Sequence, residues 1–172
     1  MKTLVISYSL TGNNETLAGA ISSELSADYI RIEETKPRTY FSIGLDMLLN
    51  RTPNVNLTSE KIEDYDTVIF VGPVWMGKVA SPFRAYFKKY KNRLNRYTYI
   101  SLSGGADGPN TKLTNELIKR TGKEPLAVIN LLITDLLPGD PKPTREEIES
   151  YRLKKEDAKI VTMNFIDVLK QA

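Results

Sequence analysis

Short apolar runs alternate with helical patterns along the chain. Leu4–Ile6, Tyr29–Ile32, Val68–Val71, Tyr97–Leu102 and Leu126–Ile133 have strand length and are rich in β-branched and aromatic residues. Several are continuously apolar rather than alternating, the pattern of strands buried on both faces of a parallel sheet. Helical patterns with recognisable ends lie between them. Leu17, Ala18, Ile21 and Leu25 form one stripe. Ser81 and Pro82 suit a helix cap and first helical position. Leu113, Leu117 and Ile118 share a face that Gly122 closes, with Lys119 and Arg120 in the last turn. Thr144-Arg145-Glu146-Glu147 reads as a capping box opening one long final helix, whose apolar stripe is Ala158, Val161, Phe165, Val168 and Leu169.

The resulting order is β-α-β-(α)-β-α-β-α-β-α. It predicts an α/β fold, a doubly wound five-stranded parallel sheet with helices on both faces and right-handed connections. The length of 172 residues predicts a single domain over 1–172. The least regular connection, 33–66, holds a weak helical pattern at Tyr40–Leu49. There Tyr40, Phe41, Leu45 and Leu48 either line a pocket or, as is commoner, pack the helix on the sheet. Leu136-Leu137-Pro138-Gly139 is open between packing and an oligomer contact, so a homodimer stays open too.

Composition narrows the chemistry. The chain has no cysteine and no histidine, which excludes disulfides, thiolate metal sites and Ser-His-Asp or Cys-His catalysis. Demanding chemistry would then need a bound cofactor, or carboxylates and lysines. A net charge of +3 is too mild to imply nucleic acid. No apolar run reaches bilayer length, and the apolar start is too short for a secretory signal, so a cytoplasmic location is expected.

In open α/β sheets ligands bind beyond the carboxyl ends of the strands. Three loops there carry candidate chemistry. The first, Ser9-Leu10-Thr11-Gly12-Asn13-Asn14, joins a strand to a helix start. It offers hydroxyls, backbone N–H groups and a helix dipole, with no lysine or arginine. It is neither a dinucleotide fingerprint nor a Walker loop, and no acidic pair closes the first strand to hold a metal. A single phosphate suits it, as does an ordinary capped turn. The second loop, Gly72-Pro73-Val74-Trp75-Met76-Gly77-Lys78, places the only tryptophan among turn formers, where an indole suits stacking on a flat ligand. The third, Ser101-Leu102-Ser103-Gly104-Gly105-Ala106-Asp107-Gly108-Pro109-Asn110, is glycine-rich, which suits a ligand rim or, more commonly, a plain flexible connection. Together the three suit a planar cofactor with one phosphate.

These motifs resemble those of the flavodoxin-like proteins. Ser9-x-Thr11-Gly12-Asn13 is similar to their phosphate loop, Gly72-Pro73-Val74-Trp75-x-Gly77 to the first flavin-ring loop, and Ser103-Gly104-Gly105 to the second. The resemblance implies strand order 2-1-3-4-5 and FMN as cofactor. By position, Ser9, Leu10, Thr11, Gly12, Asn13 and Asn14 would surround the phosphate. Pro73, Val74, Trp75, Met76, Gly77 and Lys78 would flank the ring, with Trp75 against it and the Gly77 carbonyl toward N5. Ser103, Gly104, Gly105 and Asp107 would meet the pyrimidine edge. No metal is implied.

Three departures stand out. Asn14 replaces the usual threonine. No aromatic lies between Leu102 and Asn110, which leaves one ring face without the tyrosine cover of electron-carrying flavodoxins. The chain is basic where those carriers are acidic, with Arg84, Lys88, Lys89, Lys91, Arg93 and Arg96 clustered after Lys78. The commoner reading of that cluster is a solvated helix face, and the sharper one is a surface for an acidic partner or a nicotinamide phosphate. The departures favour an FMN-dependent oxidoreductase, with NAD(P)H as donor, a quinone-like or other small-molecule acceptor, and Lys78 as candidate charge stabiliser. A non-enzymatic carrier with a redox partner protein and a flavin-free binding module remain the alternatives.

Overall fold

The computed structural model describes residues 2–35, 39–57, 61–105 and 112–171. In chain order the elements are β1 (Thr3–Ser7), α1 (Asn13–Leu25), β2 (Asp28–Arg31), α2 (Tyr40–Leu48), a 3-10 turn at Ile62–Asp64, β3 (Thr67–Val71), β4 (Val74–Trp75) and β5 (Lys78–Val79). Then follow α3 (Phe83–Lys89), β6 (Tyr97–Ser103), α4 (Leu113–Thr121), β7 (Ala127–Leu132), α5 (Ile133–Leu136), α6 (Arg145–Ser150), α7 (Lys155–Met163) and α8 (Ile166–Gln171).

The main sheet is five-stranded, β2-β1-β3-β6-β7, with every pairing parallel. With the small antiparallel hairpin β4–β5 set aside, this is the order 2-1-3-4-5. The central strands β1, β3 and β6 are almost wholly buried, whereas the edge strands β2 and β7 are half open. Side chains alternate between two cores, as strand geometry requires. Leu4, Ile6, Phe70, Tyr97 and Tyr99 pack with Phe83 and Phe87 of α3 and Leu113 and Leu117 of α4. Val5, Ile69, Val71 and Ile100 pack with Leu17 and Ile21 of α1 and with Ala158, Phe165 and Leu169 of the C-terminal helices.

Several local expectations change. The capping box at Thr144 forms, with the Glu147 N–H and carboxylate reciprocating Thr144. It opens only α6, and the expected long helix is three separate pieces. The break at 151–154 turns Leu153 into the core at 6% exposure. Ala158, Val161, Phe165 and Leu169 are buried as the stripe predicts, but Val168 is 46% exposed. Ile133 starts α5 rather than ending a strand. α3 begins one residue later than expected, with Pro82 at the cap. Gly122 closes α4 in the left-handed conformation, its N–H on the Ile118 carbonyl. α2 does form but turns Phe41 and Leu48 to solvent, at 79% and 77%, burying Ile43 and Met47 instead. Leu136 and Leu137 pack against the second core.

Candidate functional site

The sheet order reverses between β1 and β3, and the loops after β1, β3 and β6 open side by side at that point. β1 ends at Ser7, and the Tyr8 N–H still reaches the Val71 carbonyl, so the loop starts from a fixed position. The Ser9 Oγ accepts from the N–H groups of Gly12 at 3.0 Å and Asn14 at 3.2 Å. Gly12, at φ 92°, makes the left-handed turn into α1 that a Cβ would disfavour. The first turn of a helix leaves its N–H groups without intrahelical acceptors. Among the described residues, those of Thr11, Asn13 and Glu15 have no protein acceptor. Glu15 is paired with Arg31 at 2.9 Å, which offsets its charge near this loop.

Asn13 and Asn14 are each 3% exposed, and both side-chain amides are engaged with distant backbone. β3 ends at Val71, paired to Ile100, so β6 runs on without that neighbour. Asn14 takes its place: Nδ2 donates to the Leu102 carbonyl at 2.8 Å, and Oδ1 accepts the Leu102 N–H at 2.9 Å. The amide acts here as a peptide group would, which no threonine can do. Asn13 does the same for the helix break, donating to the Tyr151 carbonyl at 3.0 Å and accepting from the Leu153 N–H at 2.8 Å.

The loop after β3 is braced from below. The Tyr99 hydroxyl, fully buried, donates toward the Gly72 and Pro73 carbonyls at 3.1 and 3.3 Å. Burial pushes its pKa well above the ordinary phenol value. The Val74 N–H donates to the Ser103 Oγ at 2.9 Å, tying the second loop to the third. Trp75 is half-buried and meets Tyr8 edge-on at 5.7 Å. The hairpin turns at Met76 and Gly77, both with positive φ, the geometry of a tight two-residue β-turn. Its tip is exposed, Met76 at 70%.

These parts enclose a cleft of about 170 Å³ between Leu10, Thr11, Asn13 and Asn14, then Pro73, Val74 and Trp75, then Ser103 and Gly104. Met76, Gly77 and Lys78 lie outside its lining. Gly105 sits at the third loop with φ 91°, where an added Cβ would meet the Thr134 Oγ1 at 2.6 Å. Asp107 lies outside the described residues.

Sequence reading missed a wall of this cleft. Ile133, Ile148 and Glu149 complete it, brought in by α5 and α6. Ile148 approaches so closely that a Cβ on Gly104 would lie 3.3 Å from its methyl. This wall is two isoleucines with the Glu149 side chain beside them. Tyr99 was missed as well, since its strand position looked like plain core. Lys155 and Lys159 of α7 line a separate groove along α1 that reaches Gly12 and Thr16.

Lys88, Lys89, Lys91, Arg93 and Arg96 of the basic cluster are exposed, as a solvated helix face and turn require, but Arg84 is not. Arg84 is 2% exposed and donates to the Asp46 and Arg51 carbonyls at 3.0 and 2.7 Å, pinning the irregular connection. Arg93 pairs with Glu63, and the Lys89 ammonium lies over the Tyr90 ring. Lys78, Lys88 and Lys91 line a second cavity.

A doubly wound parallel sheet with a loop-lined crevice at its switch point is the architecture these features define. Residues 48–131 match the flavodoxin domain family, and the chain has the flavodoxin-like fold. A flavoprotein solved in complex with FMN from Lactobacillus acidophilus is 23% identical, with a TM-score of 0.65 over 75% of this chain and 92% of that one. A candidate flavoprotein from Bacteroides eggerthii is 17% identical, with a TM-score of 0.68 over 98% of each chain. Another from Bacteroides uniformis is 16% identical, at 0.65 over 94% of this chain and 97% of that one. No curated protein matches the sequence. Among the described residues, no acidic cluster could hold a metal, and no helix is long and apolar enough to cross a membrane.

Proposed function

We propose that the cleft binds FMN and that the chain is an FMN-dependent oxidoreductase, taking electrons from NAD(P)H and delivering them to a quinone-like or other small acceptor. The observation that carries this reading is the set of unaccepted N–H groups of Thr11, Asn13 and Glu15, at the start of a 13-residue helix and beside a cleft edged by Trp75. Oriented N–H groups and a helix end suit one phosphate without a cation. The hydroxyls of Ser9 and Thr11 supply further hydrogen bonds. Asn13 contributes its backbone N–H, and the side chains of Asn13 and Asn14 hold the loop in shape.

Trp75 and the backbone of Pro73–Val74 would flank the ring, and Ser103, Gly104 and Gly105 would meet its polar edge. Bound flavin supplies the electron-accepting chemistry, so the absence of histidine and cysteine costs nothing here. The chain's own part is to bind, orient and shield from water. Tyr99 and Ser103 fix the ring loops, and Ile148 supplies an apolar wall.

A visible spectrum of the purified protein, repeated after anaerobic addition of NADPH, tests the reading. Flavin absorbance that bleaches directly is expected. Flavin that bleaches only when a separate reductase is added would make the chain a carrier instead. A protein that neither carries flavin nor quenches added FMN would end both redox readings.

A further inference from the structure

On the sheet face that carries α3 and α4 lies a cavity of about 450 Å³, within the range of about 300–1,000 Å³ usual for small-molecule sites. Its cations come from three elements. Lys78 projects from the hairpin, Lys88 and Lys91 from the end of α3 and the turn beyond it, and Lys119 and Arg120 from the last turn of α4, while the buried Arg84 of α3 lines its floor with its guanidinium held by backbone carbonyls. Among the described residues its only carboxylate is Glu116, which is already engaged. Glu116 takes the Arg120 Nε at 2.7 Å and the Val79 N–H at 2.8 Å. Arg120 also donates to the Asn50 Oδ1 at 2.9 Å, so this wall is held in place.

Lys78, Lys88, Lys91 and Lys119 are exposed, and none has an ion-pair partner among the described residues. Compensation of helix dipoles accounts for Lys88 and Lys119, which sit in last turns. It does not account for Lys78 or Lys91, nor for four like charges converging on one concavity. Like charges brought together repel, and a polyanion between them reverses the sign of that energy.

The position says which polyanion. Lys78 is the cross-strand partner of Trp75 in the hairpin, so the basic groove and the ring cleft share that hairpin. We propose that the groove binds the phosphates of the nicotinamide donor and selects the form phosphorylated on its adenosine ribose. This rests on the oxidoreductase reading above. A 2′-phosphate adds about 1.5–2 negative charges to a ligand of this size, and the groove supplies uncompensated lysines to meet them.

The test is calorimetric titration of the FMN-saturated protein with 2′,5′-ADP and with 5′-AMP. The first is expected to bind at least about tenfold more tightly. The double variant Lys88→Glu/Lys119→Glu is expected to lose about tenfold or more of that affinity. The double variant Lys159→Glu/Lys170→Glu, with the same change in net charge, should lose less than about threefold. All four lysines are exposed, and circular dichroism checks that both variants fold. Equal binding of the two nucleotides, or equal losses in the two variants, would overturn the proposal. The two readings fail separately. A protein that oxidises NADPH and NADH equally without binding 2′,5′-ADP keeps its function and loses the groove. One that binds 2′,5′-ADP through Lys88 and Lys119 but takes no flavin keeps the groove as a polyanion site and loses the redox role.

Discussion

The lining of the cleft at the carboxyl ends of β1, β3 and β6 holds no lysine or arginine among the described residues, whereas the groove between α3 and α4 holds Lys78, Lys88, Lys91, Lys119 and Arg120. Both suit phosphate. The cleft offers fixed dipoles: N–H groups aimed by a helix start, a left-handed glycine and two asparagines locked to distant backbone. The groove offers charge on flexible stems. Dipoles act only at hydrogen-bond range, so they demand geometry and select shape. Lysine charges act over several ångströms, tolerate misplacement and are screened by salt. A cofactor that stays bound fits the first kind of site, and a donor that must leave each turnover fits the second.

The sharpest way to break this contrast is to remove the geometry. Asn14→Ala leaves the buried N–H and carbonyl of Leu102 without their partners. Each such orphan costs about 1–3 kcal/mol, so a loss of about 2–6 kcal/mol in urea unfolding is expected, together with weakened FMN binding and an unchanged affinity of the groove for 2′,5′-ADP. Asn14→Thr, which installs the residue usual in flavodoxin loops, should also destabilise, because a hydroxyl cannot serve both backbone groups in that geometry. Gain of stability on that change would show that a threonine hydroxyl serves the Leu102 backbone better than the Asn14 amide does.

Gly105→Ala is the next largest change and acts on the third loop, beside Gly104 of the cleft. It puts a Cβ at φ 91° and within 2.6 Å of the Thr134 hydroxyl. The left-handed conformation costs about 1–2 kcal/mol for a residue with a Cβ, and the third loop should shift to relieve the contact. The expected result is a lowered melting temperature and a faster FMN off-rate, read by stopped-flow fluorescence. Salt separates the two cavities without mutation. Raising ionic strength from about 0.01 to about 1 M shortens the Debye length from about 30 to about 3 Å. FMN affinity should change less than about threefold while 2′,5′-ADP affinity falls at least about tenfold. Equal salt sensitivity would mean that charge dominates in both.

The parts of this molecule legible in sequence are those set by local rules. Apolar runs gave the sheet because strands buried on both faces must be apolar throughout, and the glycine and hydroxyl positions marked the loops because turns need them. What escaped depends on contacts far apart in the chain. Asn13 looked like a ligand group, yet its partners lie 138 and 140 positions away. Ile148 carried no site signal at all, since an isoleucine on a short amphipathic helix reads as packing until the helix is placed over the cleft. Arg84 looked like one of a solvated run because its acceptors are carbonyls, which sequence does not display. The helix break was hidden for the same reason, because 151–154 has no proline or glycine to announce it.

The smallest effect concerns the wall that sequence missed. α6 is a short helix whose only built cap is the Thr144–Glu147 box, and the Thr144 backbone N–H holds the Glu147 carboxyl below its ordinary pKa of 4.5. A lowered folded-state pKa means that the carboxylate form favours the capped helix. That contribution is therefore complete above the unfolded pKa and is lost as pH falls through the folded value. Between pH 8 and 5 the cap should be constant, and below about pH 4.5 α6 should fray first, while the Asn14 anchor, which does not titrate, holds the phosphate loop. Amide hydrogen exchange would show this as acid-dependent loss of protection at 145–150 without loss at Asn14 and Thr16, whose N–H groups are held by the Ser9 Oγ and the Gly12 carbonyl, and Glu147→Gln would reproduce it at neutral pH. If both segments lost protection together, α6 and the phosphate loop would be one cooperative unit, and the wall would belong to the cleft's rigid frame instead of covering it.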